Sequence, residues 1–101
     1  MFTLADVLAA ARQSRAAGSE KITIHGAHFD SRKISDGMLF VAMRGNRVDG
    51  NDYIHDAFAR GAAAVLAERL DSTCSTSRQI IVSNALQTFQ DLAHCIRERS
   101  S

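Results

Sequence analysis

The sequence predicts an α/β domain: a small, mixed, partly parallel sheet with helices on both faces. Two short apolar runs, MLFVAM at 38–43 and AAAVLAE at 62–68, have the form of strands buried on both sides. Between them Ile54, Ala57 and Phe58 recur at helical spacing, and Gly61 ends the pattern. Strand, helix and strand at this length form a βαβ unit, whose two strands lie parallel. The 101 residues fit one small domain.

The remaining elements follow in order. Thr3 with Asp6 three residues on reads as a helix start, and Leu4, Val7, Leu8 and Ala11 form one apolar stripe. Gly18 is the expected stop. KITIHGAHFDSR, from 21 to 32, alternates as a strand, with a bend or bulge at Gly26. Asp49, Gly50 and Asn51 offer caps for the helix of the βαβ unit, whose inner face carries Ile54, Ala57, Phe58 and Gly61. A polar loop, DSTCSTSR, leads to a short strand, QIIV. Ser83 or Asn84 caps a last helix with Leu86, Phe89, Ala93 and Ile96 inward, and RERSS reads as a charged tail.

Composition narrows the function classes. Hydrophobic residues make up 46% and charged residues 23%, so a packed core is expected rather than disorder. The net charge of +1 gives no field strong enough to argue for nucleic acid or an anionic membrane. Any anion site must be built locally. The two cysteines, Cys74 and Cys95, have no paired spacing and are expected to be free thiols. The sequence holds no long apolar run and no basic-then-apolar N-terminal segment, so neither a membrane span nor a signal peptide is expected, and the expected compartment is the cytoplasm. His25, His28, His55 and His94 do not fall into metal-ligand spacing. Ser31 beside Asp30 and His28 lacks the G-x-S-x-G setting of a nucleophile, so no catalytic triad is expected.

The polar information is concentrated in FDSRKISDGMLFVAMRGNRVDGND, residues 29–52. In open α/β sheets ligands bind beyond the carboxyl ends of the strands. RGNRVDG leaves such an end and enters a helix, whose free N–H groups suit an anion. Gly45 and Gly50 let the backbone approach a ligand closely, while Arg44 and Arg47 add cationic donors. FDSR would end the neighbouring strand, turning Ser31 and Arg32 toward the same crevice. Without a GxxxxGK[ST] loop or a GxGxxG fingerprint, spacing alone favours a plain strand-to-helix turn with Asp49 or Asn51 as the helix cap.

The ordered set D-S-R, then G-x-L-F-V-A, then G-x-x-x-D-G, then a helix ending in G-A-A-A-V resembles the N-terminal domain of the Mur ligases of peptidoglycan synthesis. The match is strongest over residues 29–68, with looser agreement in the flanks. The resemblance implies recognition of the UDP end of a UDP-MurNAc-peptide, with uridine contacts at Phe29, Ser31, Asn46, Arg47 and Val48. Phe29 stands where an aliphatic residue is common. Uracil presents one donor between two acceptors, which a glycine-framed loop and Ser31 can match. Arg32 or Arg47 can stack on the ring or pair with the diphosphate, which also fits the helix end beyond Gly50. Asp30 and Asp49 are expected to brace the loop by accepting backbone N–H bonds.

The family's chemistry activates a carboxylate with ATP and Mg2+ in a central domain. Lys21 and Lys33, the only lysines, lie in no phosphate-loop context. The chain is therefore expected to be a single precursor-binding domain, residues 1–101, with no catalytic or metal-binding residue and no cofactor of its own. Its expected partners are the UDP-MurNAc-peptide and the central ATPase domain of a parent ligase. The last helix, ending LAHCIRER, looks more like the D-alanyl-D-alanine-adding branch than the branch that forms the tripeptide. A non-catalytic regulatory or docking module on the same fold is the other reading.

Overall fold

A computed structural model describes residues 2–13, 22–43, 50–74 and 76–100. Strand β1 (Phe2–Thr3) runs directly into helix α1 (Leu4–Ala10). Strands β2 (Thr23–Ile24), β3 (Ala27–His28) and β4 (Leu39–Val41) follow, then helix α2 (Ile54–Ala59), strands β5 (Ala64–Ala67) and β6 (Gln79–Ile81), and helix α3 (Ala85–Ser100). Strands β3, β4, β5 and β6 form a wholly parallel sheet in that spatial order, and β1 pairs with β2 as a small antiparallel ribbon.

The two apolar runs are central strands because each has a core on either side. Leu39 and Val41 of β4, Ala64 and Leu66 of β5, and Ile80 of β6 face α1 and α3, where Leu4, Val7, Leu8, Ala85 and Leu92 complete one core. Phe40, Val65 and Ala67 alternate to the other face and pack with Ile34, Ile54, Ala57 and Ala62. The expected α/β architecture, with helices on both faces and parallel strands flanking α2, is what forms.

Several element ends differ from expectation. The Asp6 carboxylate accepts the Thr3 backbone N–H at 2.8 Å, so α1 starts where the capping pattern placed it. It stops at Ala10, well before Gly18, which lies outside the described residues. Arg12 at φ 58 closes it: Arg12 N–H donates to Ala9 O at 3.1 Å and Gln13 N–H to Leu8 O at 2.9 Å. Gln13 then ties the turn to the sheet by donating to the Ile81 carbonyl at 2.6 Å.

At Gly26 the chain does more than bulge. It passes from the β1–β2 ribbon into the parallel sheet, so the expected single strand is two strands in two sheets. A 3₁₀ turn (Gly50–Tyr53) precedes α2, and Tyr53 holds the N-cap position without a side-chain cap bond; Asp49 lies outside the described residues.

Asn84 caps α3 as expected, accepting the Gln87 N–H at 3.0 Å, and Glu68 at the end of β5 accepts the Ala85 N–H at 2.9 Å. Leu86, expected inward, is 47% exposed, because the buried line of α3 is Ala85, Thr88 and Leu92, with Phe89, Ala93 and Ile96 at its margin. The expected tail is helical to Ser100, continuing a surface laced by i,i+4 pairs from Gln87 to Asp91 and from His94 to Glu98. Both cysteines are free thiols, Cys74 half-buried and Cys95 exposed.

Candidate functional site

Parallel pairing of β3 with β4, in the register His28 opposite Phe40, brings the carboxyl ends of these strands side by side. The chain leaving β3 is built around Asp30. Its carboxylate accepts the Arg32 backbone N–H at 3.0 Å and so caps a 3₁₀ turn (Ser31–Lys33). The same carboxylate takes a forked pair from Arg32, Nε to Oδ1 at 3.1 Å and Nη2 to Oδ2 at 2.9 Å. Asp30 thus braces the loop as expected, and Arg32 is held in that pair rather than projecting alone. The Asp30 N–H donates to His28 Nδ1 at 2.9 Å, which fixes that imidazole nitrogen as an acceptor. The His28 ring lies against Phe29, centroids 5.0 Å apart at 33°, and Phe29 is 61% exposed.

Ser31 differs from its neighbours. Among the described residues it is one of three polar ones that are buried, at 5% exposure, and its side chain helps to hold the Asp56 carboxyl of α2 below the ordinary range. Arg60, one turn on, donates from Nε to Asp56 Oδ2 at 3.1 Å and from Nη1 to the Arg32 carbonyl at 3.5 Å. The 3₁₀ turn after β3 is therefore tied to the end of α2 by Arg60, a residue absent from the motif and itself paired with Asp56. The i,i+4 spacing of Asp56 and Arg60 flags an ordinary surface pair; nothing in the order of residues announces the reach to the Arg32 carbonyl.

Of the other residues singled out by sequence, Gly50 opens the 3₁₀ turn before α2, while Gly45, Asn46, Arg47, Val48 and Asp49 lie outside the described residues, as does Arg44. Further along the carboxyl edge, Asp52, Ile54, Arg69, Leu70, Asp71 and Ser72 line a polar cavity of about 360 Å³, with Arg69 3.8 Å from Asp52. No motif marks this cavity, since its walls come from separate segments, the start of α2 and the chain after β5.

The hydrogen bonds from the Arg32 side chain, then from its backbone N–H, hold the Asp30 carboxyl down from the ordinary 3.8 to about 2. A depressed folded-state pKa stabilises the fold above the ordinary carboxylate range, and that contribution fades as pH falls from about 3.8 through about 2. Carboxyl-carbon NMR titration of Asp30 should give a midpoint near 2, returning toward the ordinary range in Arg32→Ala; an unshifted midpoint in the parent chain would refute the pairing.

Residues 23–97 match the family model described as "Mur ligase family, catalytic domain". The chain belongs to the Mur ligase family. It is 35% identical over 82 residues to a UDP-N-acetylmuramoyl-tripeptide–D-alanyl-D-alanine ligase of Rickettsia prowazekii, covering 81% of the chain and 18% of that protein. It is 42% identical over 65 residues to a UDP-N-acetylmuramoyl-L-alanyl-D-glutamate–2,6-diaminopimelate ligase of Bacteroides thetaiotaomicron, covering 64% of the chain and 14% of that protein. MurF from Acinetobacter baumannii superposes with a TM-score of 0.80 over 97% of the chain and 21% of the MurF chain, at 22% identity, which is a likeness of fold. This Mur ligase domain thus spans less than a quarter of the length of these proteins.

Proposed function

We propose that this chain is the substrate-recognition domain of a peptidoglycan ligase. It binds the uridine diphosphate part of a UDP-MurNAc-peptide at the carboxyl edge of β3 and β4. The observation that carries this reading is Phe29 and the Asp30–Arg32 unit, fixed at the end of β3 beside the end of β4, from which the 44–50 segment departs. Phe29 supplies an exposed aromatic face on which a base can stack. The segment 44–50 supplies glycine-framed backbone groups and Arg47 for the ring edge and the diphosphate.

The whole ligase would activate the peptide carboxylate with ATP and Mg2+ in a central domain and join it to D-alanyl-D-alanine. Addition of the third amino acid is the runner-up, since relatives of both kinds share this domain. Within the 101 residues no group is assigned to catalysis, and the domain's partners are the nucleotide precursor and the ATPase domain.

Titration of the chain with UDP, followed by amide chemical shifts, should perturb Phe29 to Arg32 and the 44–50 segment with a Kd on the order of 1 mM, weak because the rest of the precursor is gripped elsewhere. UDP-MurNAc should move the same resonances. Shifts confined to another surface, or none at roughly ten times that concentration, would overturn the site.

A further inference from the structure

We propose that the outer edge of β3 is a strand-acceptor slot. It takes an extended segment of a partner polypeptide whose apolar residues alternate and which ends in an acidic side chain. The slot lies along the side of the sheet, apart from the carboxyl edge, and does not rest on the uridine diphosphate reading.

β3 is the outermost strand of the parallel sheet and pairs with β4 alone among the described residues. The Leu39 N–H donates to the Gly26 carbonyl at 2.8 Å, so Gly26 and His28 turn their main-chain groups toward β4. Ala27 lies between them and turns its N–H and C=O the other way. Among the described residues no bond takes up that pair, although Ala27 is half-buried. Unmatched main-chain groups on a partly covered strand edge are a template for a further strand.

The Ala27 side chain forms one wall of an open apolar groove of about 410 Å³. Phe2 of β1 forms another, and Phe89, Ala93 and Ile96 of α3 form the third. Ala27 packs on the α1 and α3 side of the sheet, with Leu39 and Val41. A strand laid against β3 would send every second side chain to that same side, into the groove, and its remaining side chains to the opposite face. Hydrogen-bonding edge and apolar groove therefore fit one occupant, an extended chain with alternating apolar residues. The groove has a single charged lining residue, Arg97, exposed at its rim. That charge favours an acid at the end of the added segment and disfavours a base. With β3 only two residues long the ladder is short, and binding is correspondingly weak.

The test uses a capped peptide of alternating valine and threonine with aspartate at each end, titrated into the 101-residue chain and followed by amide shifts. Shifts should gather at Ala27 and along Phe89 to Arg97, with a Kd on the order of 1 mM. A fully N-methylated copy cannot donate to the Ala27 carbonyl and should bind about tenfold more weakly. Exchanging the aspartates for lysines should weaken binding about fivefold, and Arg97→Ala should erase that difference. Ala93→Trp fills the groove and should abolish the shifts at Ala27. If that variant does not fold, Arg97→Ala carries the test, since Arg97 is exposed. Equal binding of the methylated or the lysine peptide, or no shift at Ala27 at roughly ten times that concentration, overturns the inference. Shifts at Ala27 that grow with protein concentration in the absence of peptide would give the slot to a second copy and overturn its assignment to a partner. UDP binding bears on none of these outcomes.

Discussion

Replacing Phe40 with alanine should lower the unfolding free energy by about 3–5 kcal/mol, the largest loss expected from any single core truncation. Phe40 heads the fully buried side chains at 1% exposure, and it lies in the smaller of the two cores. Its buried partners there include Ala42, Ala57, Ala62 and Ala67, with Ile34, Ile54 and Val65. Alanines have no side-chain freedom with which to close around a vacated ring, so most of the cavity persists and the cost sits at the upper end of the range. The same ring supports α2, six residues long and too short to hold itself by propensity. Domains of this size have about 5–15 kcal/mol in hand, so Phe40→Ala should show a large fall in urea midpoint. It should also lose UDP shifts at Ser31, because the turn that holds Ser31 is tied to the end of α2 through Arg60. A loss under about 1 kcal/mol would mean that α2 docks on something other than this ring.

The ends of α1 and α2 explain what could be read from the residues and what could not. Both α1 and α2 finish with the same pair of bonds. In α2, Gly61 N–H donates to Phe58 O at 3.0 Å and Ala62 N–H to Ala57 O at 3.1 Å. In α1 the donors are Arg12 and Gln13. Glycine at 61 made the first stop legible; arginine in the left-handed region at 12 concealed the second, because the strain is met by the Gln13 anchor on Ile81, a bond from the opposite end of the chain. Strands β4 and β5 were legible for a different reason. A strand with a core on each side is apolar throughout, and these two are. The ribbon Phe2–Thr3 with Thr23–Ile24 was not, since two residues carry no period. At the site, the brace from Asp30 to Arg32 is local and follows from residue order. The bond from Arg60 to the Arg32 carbonyl joins the end of α2 to the turn after β3, 28 residues away in the chain, and only folding places them together.

Gly61→Ala should cost roughly 2–4 kcal/mol and lower Tm by on the order of 10 °C, although it adds one methyl group to a half-buried turn. Gly61 holds φ 101, a conformation that costs an L-residue roughly 1–2 kcal/mol. The added methyl would also run into the Asp36 carboxylate and come within 3.0 Å of the Asp36 main chain. The turn cannot shift without consequence, because the Gly61 carbonyl accepts the Gly37 N–H at 2.9 Å and the next residues pair Ala63 N–H with Met38 O at 2.8 Å. Those bonds start the β4–β5 pairing at the end of the sheet opposite the site. Asp36→Ala separates the two contributions. On its own it should change stability little, since Asp36 is exposed. Combined with Gly61→Ala it should recover the part due to the carboxylate clash. What remains is the part due to the left-handed backbone and to crowding against the Asp36 main chain, a non-additivity readable in a double-mutant cycle by thermal melts. Full recovery would assign the whole cost to the side-chain clash, and a Gly61→Ala variant within about 0.5 kcal/mol of the parent would show that the turn tolerates a side chain at φ 101.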